Sequence, residues 1–185
     1  MPSPRIVSLA ASALLLSTAV LAADTMTPPI KPGLWQVTSE QSANGKQAPD
    51  PVAMMQSLPP EVRARMEEMM KARGVDMSGA GGTRVCLSKE SLDQGQWQSV
   101  AKDCTTKIIS RSTASWKWHS SCPESGVESD GETLFTDAEN YKVKLTTTMT
   151  MGGKPSTSQR NMTGKWLGAD CGDLKPVTAK SIGGK

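Results

Sequence analysis

The chain has 185 residues, with 21 Lys and Arg against 18 Asp and Glu and a formal charge of +3 at pH 7. So even a balance gives no argument for a nucleic-acid or anionic-membrane partner, either of which calls for a clustered basic face. Five Trp, one Tyr and one Phe are the only aromatic residues. A core must therefore rest on a few large rings filled in by Met, Leu and Val.

Residues 1–23 have the layout of a cleavable secretory signal peptide. Arg5 and the amino terminus give a positive start, Ile6 to Leu21 is apolar or small, and a cut is expected after Ala22 or Ala23. A spanning helix needs ~20 apolar residues; this stretch is slightly short and is interrupted by Ser8, Ser12, Ser17 and Thr18. Nothing later in the chain approaches spanning length. The expectation is a soluble periplasmic product with no membrane insertion after cleavage.

Residues 24–32 read as an extended lead-in. Gly33 to Gln41 then alternates as a strand, with Trp35 and Val37 on one face. After a polar loop, Asp50 caps a short helix with Pro51 at its first position, and the two prolines after Leu58 must end it. A second helix starts at Pro59 or Pro60, where a missing N–H costs nothing. Gly74 is placed to end it in a left-handed conformation. Val62, Met66, Met69 and Met70 fall at spacings of four, three and one and form an apolar stripe, which predicts a helix covering something.

Beyond a Gly-rich link, Ser78 to Gly82, the remainder reads as β structure. Thr83 to Leu87 is a short strand, residues 88–102 a polar excursion with Trp97, and Cys104–Arg111 and Ser112–Cys122 an antiparallel pair. Ala114, Trp116 and Trp118 share one face of the second, opposite Ser115, Lys117 and His119. A strand near Val127 to Phe135 precedes the clearest alternation, in which Tyr141, Val143, Leu145, Thr147, Met149 and Met151 point one way. Thr157 to Leu167 returns as the last strand. The predicted class is α+β: a mainly antiparallel curved sheet of about seven strands, possible as a barrel, with one amphipathic Met-rich helix packed on it. Residues 33–172 form a single disulfide-stapled domain, and 173–185 a polar, disordered tail.

An even cysteine count in an exported chain reads as two disulfides formed by Cys86, Cys104, Cys122 and Cys171. Four cysteines allow three pairings and sequence alone does not choose among them. The preferred one is Cys86–Cys104 with Cys122–Cys171, worth about 3 and about 4 kcal/mol of lost unfolded-state entropy. Structural zinc is disfavoured, because the spacings contain no C-x-x-C and no histidine pair.

Four segments together resemble a known family: Lys31-Pro32-Gly33-Leu34-Trp35, the Met-rich helix LPPEVRARMEEMMKARG, Arg84-Val85-Cys86-Leu87-Ser88, and Gly164-Lys165-Trp166-Leu167-Gly168-Ala169-Asp170-Cys171-Gly172. In this order they resemble exported proteobacterial proteins catalogued as domain of unknown function 3617, over roughly residues 30 to 176. The resemblance implies a small periplasmic protein with a signal peptide and paired cysteines. It brings no reaction, cofactor or binding residue.

The chemical inventory gives no catalytic constellation, and the chain is expected not to be an enzyme and to need no cofactor or metal. His119, the only histidine, falls on the solvent face of its strand, and no G-x-S-x-G elbow occurs. Glu128, Asp130 and Glu132 share one strand face, roughly 7 Å apart successively, as an exposed acidic row. Met66, Met69 and Met70 suit Cu(I) as soft thioethers, yet the same spacing is what a packing stripe requires. The expected function is binding of a small apolar ligand, a peptide or an envelope protein. Its site would be an apolar face made by Met66, Met69 and Met70 with Trp116 and Trp118. A hydrolase or hydrolase inhibitor and a Met-based copper-handling protein are the alternatives.

Overall fold

The structure is a computed structural model and describes residues 27–79, 81–93 and 104–178, with Met151 by its backbone alone. The expected signal peptide (residues 1–23), Trp97 and residues 179–185 lie outside these. Strands β1 (Gly33–Ala43), β2 (Lys46–Gln47), β3 (Val75–Asp76), β4 (Thr83–Leu87), β5 (Thr105–Arg111), β6 (Ser115–Cys122), β7 (Val127–Asp137), β8 (Asn140–Met151) and β9 (Lys154–Gly168) form one sheet. Helices α1 (Pro51–Gln56), α2 (Pro60–Ala72) and α3 (Lys89–Asp93) interrupt them. The order β3-β4-β1-β9-β8-β7-β6-β5 is antiparallel throughout, with β2 hung on β1. The sheet is curled and open, so it is no barrel. The α+β class holds, with two very short strands, β2 and β3, beyond the seven expected.

Alternation sorts the two faces as the sequence indicates. Tyr141 and Val143 are buried while Lys142 and Lys144 are exposed, and Trp116 is buried beside exposed Lys117. Trp35, fully buried, packs its ring 5.1 Å from that of Tyr141, and Trp116 meets Phe135 edge-on at 5.6 Å. Such pairs add about 0.5–1.5 kcal/mol beyond the area they bury. Burial raises the Tyr141 hydroxyl to about 12. The inner face makes room for these rings through glycine: a Cβ on Gly131 would lie 2.2 Å from the Trp118 indole, and one on Gly164 would lie 2.2 Å from the Tyr141 ring.

Three short segments, and not the long helix, close this core. Ile30 comes from the lead-in, Leu92 from α3, and Val177 from the chain after β9. Residues 173–178 were expected in a disordered tail, but the Val177 amide donates to the Cys86 carbonyl at 2.9 Å and its side chain is 3% exposed. A polar composition concealed one apolar anchor. The α2 stripe is a second correction. No α2 residue is buried, Val62 and Met69 are 48% and 52% exposed, and the helix packs beside β3 at the margin of the sheet. Its ends are as expected: Pro60 opens it, and Gly74 follows with φ of 85°.

The disulfides pair as Cys86–Cys171 and Cys104–Cys122, which corrects the preferred pairing. The cause is strand register. Thr105 lies opposite Ser121 in the β5–β6 pair, so Cys104 falls opposite Cys122, with Cα atoms 4.1 Å apart. β1 lies between β4 and β9, and the chain leaving β9 passes the end of β4, where Cys171 meets Cys86.

Replacing Gly164 by Ala is expected to push Tyr141 off Trp35 and to cost about 1–3 kcal/mol in urea unfolding. Gly168→Ala, with nothing within 4 Å of the added carbon, is expected to change stability by less than about 0.5 kcal/mol. Equal losses for the two would contradict the packing described.

Candidate functional site

The sequence-predicted residues divide into groups that the fold keeps apart. Met66, Met69 and Met70 lie on α2 beside β3, at one end of the strand order, while Trp116 and Trp118 lie on β6, near the other. Trp116 is 3% exposed and committed to the core, its Nε1 donating to the Ser112 carbonyl. The expected apolar face is therefore not assembled from these five residues. Helical and strand periodicity each predicted an apolar face, but periodicity carries no information on which faces meet.

His119, Glu128, Asp130 and Glu132 do come together, on the wet face of β6 and β7. His119 Nδ1 lies 2.9 Å from Asp130 Oδ1, and Nε2 lies 3.0 Å from Glu128 Oε2. Lys117 reaches Glu132 at 3.6 Å. The hydrogen bond to Asp130, reinforced by both negative charges, raises the His119 pKa above the ordinary 6.5. Both ring nitrogens thus face acceptors, and Ser121 donates its hydroxyl to Glu128 Oε1 at 2.7 Å instead of to the imidazole. A Ser–His–acid relay needs the serine proton on the imidazole's path, which Ser121 does not supply; the row is a ladder of facing basic and acidic side chains.

A cleft of about 430 Å³ lies where β3 and β4, the end of α2 and the stapled chain after β9 converge. Leu34 and Leu174 supply apolar wall, and Lys71, Asp76, Arg84, Asp170 and Asp173 supply charge. Asp76 and Arg84 are register partners in the β3–β4 hairpin and pair at 2.8 Å. Burial pushes the Asp76 carboxyl up, but the Ser78 hydroxyl and amide, with Arg84 and Lys71, hold it below the ordinary carboxylate range. Arg84 Nε is buried and has no hydrogen-bond partner among the described residues. A buried donor left unmet costs about 1–3 kcal/mol.

A further cleft of about 350 Å³ separates α1 from β1 and the start of β4, with Val37, Ser39, Val52 and Gln56 among its walls. It lies between a helix and the sheet, but the helix is α1 and not the Met-rich α2. The larger cleft was missed. Its signal was present in Val75-Asp76 and Arg84-Val85 flanking a Gly-rich stretch, since strand pairs around glycines mark a hairpin. Among the described residues no group of three or more His, Cys, Asp or Glu is arranged to hold a metal ion.

Comparison with known proteins bears on this geometry. The family "Protein of unknown function (DUF3617)" matches residues 30–171. The chain belongs to that family. Both disulfides fall within the matched span, as do all the cleft's walls up to Cys171. A Pseudomonas putida protein described as "Uncharacterized protein in lpd-3 5'region" is 36% identical over 112 residues, covering 57% of this chain and 77% of that protein. No solved structure matches.

The ladder makes a signed prediction. His119 is more easily protonated when folded, so its stabilising contribution is present below the unfolded value and is lost as pH rises through the raised folded one. NMR titration is expected to place His119 above 6.5, and Asp130→Asn to lower it. An unchanged value in that variant would contradict the pairing.

Proposed function

We propose that this DUF3617 protein is an exported, periplasmic, non-catalytic binding protein whose site is the β3–β4 cleft. The ligand class is a short peptide segment that presents an oxygen acceptor and a basic group. One observation carries the reading: the Arg84 side chain, 39% exposed and held by Asp76 through its guanidinium, lines a cleft large enough for a small ligand. A carbonyl or carboxylate would satisfy a guanidinium better than water does in so confined a place. Asp170 and Asp173 at the same cleft would receive a cation, and Leu34 and Leu174 would take apolar side-chain surface.

Export is supported by the layout of residues 1–23 and by two disulfides with no free cysteine among the described residues. It fits that no described helix is long and apolar enough to cross a membrane. A non-catalytic role is supported by the ladder around His119, in which the imidazole faces carboxylates and no nucleophile.

Native mass spectrometry of the protein purified from the periplasm tests the reading. The expected spectrum shows a bound species that disappears in the Asp170→Lys, Asp173→Lys variant, whose substitutions lie on exposed positions. A bare protein mass in both forms would overturn it. So would a hydrolytic activity that falls by orders of magnitude on His119→Ala.

A further inference from the structure

The order in which these cysteines pair carries a consequence for how the protein acquires its fold. Numbered along the chain, the first cysteine joins the fourth and the second joins the third. Cys104 and Cys122 are 18 residues apart, and Cys86 lies equally far from Cys104 on the other side. Cys86 and Cys171 are 85 apart. Loop-closure cost rises as (3/2)RT ln n, so in an unfolded chain Cys104 meets Cys86 as readily as Cys122. Cys86 meets Cys104 about tenfold more readily than it meets Cys171.

Local structure gives only a weak correction. The β5–β6 hairpin would select Cys122, but an isolated two-stranded hairpin is marginal in water. The native partner of Cys86 arrives only after β9 has packed on β1 and brought the following chain past β4. In a chain exported amino-terminus first, moreover, Cys86 and Cys104 are both available before Cys122 has emerged. The first bond open to such a chain is Cys86–Cys104, and it leaves Cys122 and Cys171 to join each other. The resulting isomer cannot place Val177 beside Cys86, because Cys171 is held by the end of β6 instead.

We infer that this protein is a client of a thiol–disulfide isomerase, which rearranges Cys86–Cys104 and Cys122–Cys171 into the native pairs. The partner is thus a redox protein with a reactive, exposed thiolate. Its thiolate attacks Sγ of Cys86, breaking the bond to Cys104 and forming a mixed disulfide. The freed Cys104 thiolate attacks Sγ of Cys122, forming Cys104–Cys122 and releasing the Cys171 thiolate. Cys171 then attacks Sγ of Cys86, forming Cys86–Cys171 and expelling the isomerase thiolate. Two protein disulfides are exchanged for two others, no electrons are gained or lost overall, and the catalyst is returned in its starting state.

This inference uses the export reading for the order of emergence, but its test does not. The full chain without residues 1–23, reduced and denatured, is diluted into a small-molecule disulfide oxidant and its bonds are mapped by mass spectrometry. About half of the first Cys104 bonds are expected to go to Cys86, from the equal loop lengths. A catalytic amount of a purified C-x-x-C isomerase is expected to raise the native fraction about twofold. The Cys86→Ala, Cys171→Ala variant can close only Cys104–Cys122, so its pairing is expected to be unaffected by the isomerase. Native pairing of nearly every molecule without catalyst would overturn the inference, as would an isomerase effect of equal size on the variant. A thiol-reduced, cytoplasmic protein in cells would defeat the export reading and, with no disulfide to rearrange, this inference with it, whereas native pairing without catalyst defeats this inference alone.

Discussion

The bond between Cys86 and Cys171 decides how the inner face of the sheet is closed. It ties the chain leaving β9 to β4, and six residues later Val177 enters the core with its amide on the Cys86 carbonyl. The same segment runs so close to Gly74 that a Cβ there would lie 2.5 Å from the Lys175 carbonyl oxygen. Closing an 85-residue separation removes about 4.5 kcal/mol of unfolded-state entropy in the chain-entropy account. Against a net stability of about 5–15 kcal/mol, that is a large share for a chain with seven aromatic residues.

The other staple acts at the far margin. Cys104–Cys122 joins β5 to β6 at one end of the strand order, while Cys86–Cys171 acts on β4 near the other. Between them the sheet depends on rings laid over glycines. Trp35, Trp116 and Trp166 each give their indole N–H to a carbonyl, those of Lys31, Ser112 and Pro32. Trp118, flat against Gly131, gives its N–H to nothing among the described residues. Unmet buried donors thus occur at Arg84 and Trp118, one toward each margin of the sheet. Arg84, unlike Trp118, is also a lining residue of the cleft that carries charge of both signs.

Much of this was legible in the amino-acid sequence, because strand alternation is a local signal. The faces of Tyr141 to Leu145, the exposure of Lys117, the shared face of Glu128 and Asp130, the Asp50 cap and the Gly74 stop all follow from period and residue type. What escaped depends on which elements meet. The Met66–Met70 stripe promised a buried helix face, but the core was already closed by Ile30, Leu92 and Val177, each a single apolar residue in a short segment. The pairing of Cys104 with Cys122 was recoverable: the two strands it joins were predicted, and a turn centred near residue 113 sets these cysteines opposite each other. The pairing of Cys86 with Cys171 was not recoverable in that way, since it depends on β1 lying between β4 and β9. The cleft shares that dependence, being built from the same crossing.

Peptide mapping of the native, unreduced protein tests the central claim most directly. The account predicts two linked species, one joining the peptides of Cys86 and Cys171 and one joining those of Cys104 and Cys122. Linkage of Cys86 to Cys104, or four free thiols, would mean that the segment carrying Val177 is not held against β4, and the core and cleft described here would fall with it.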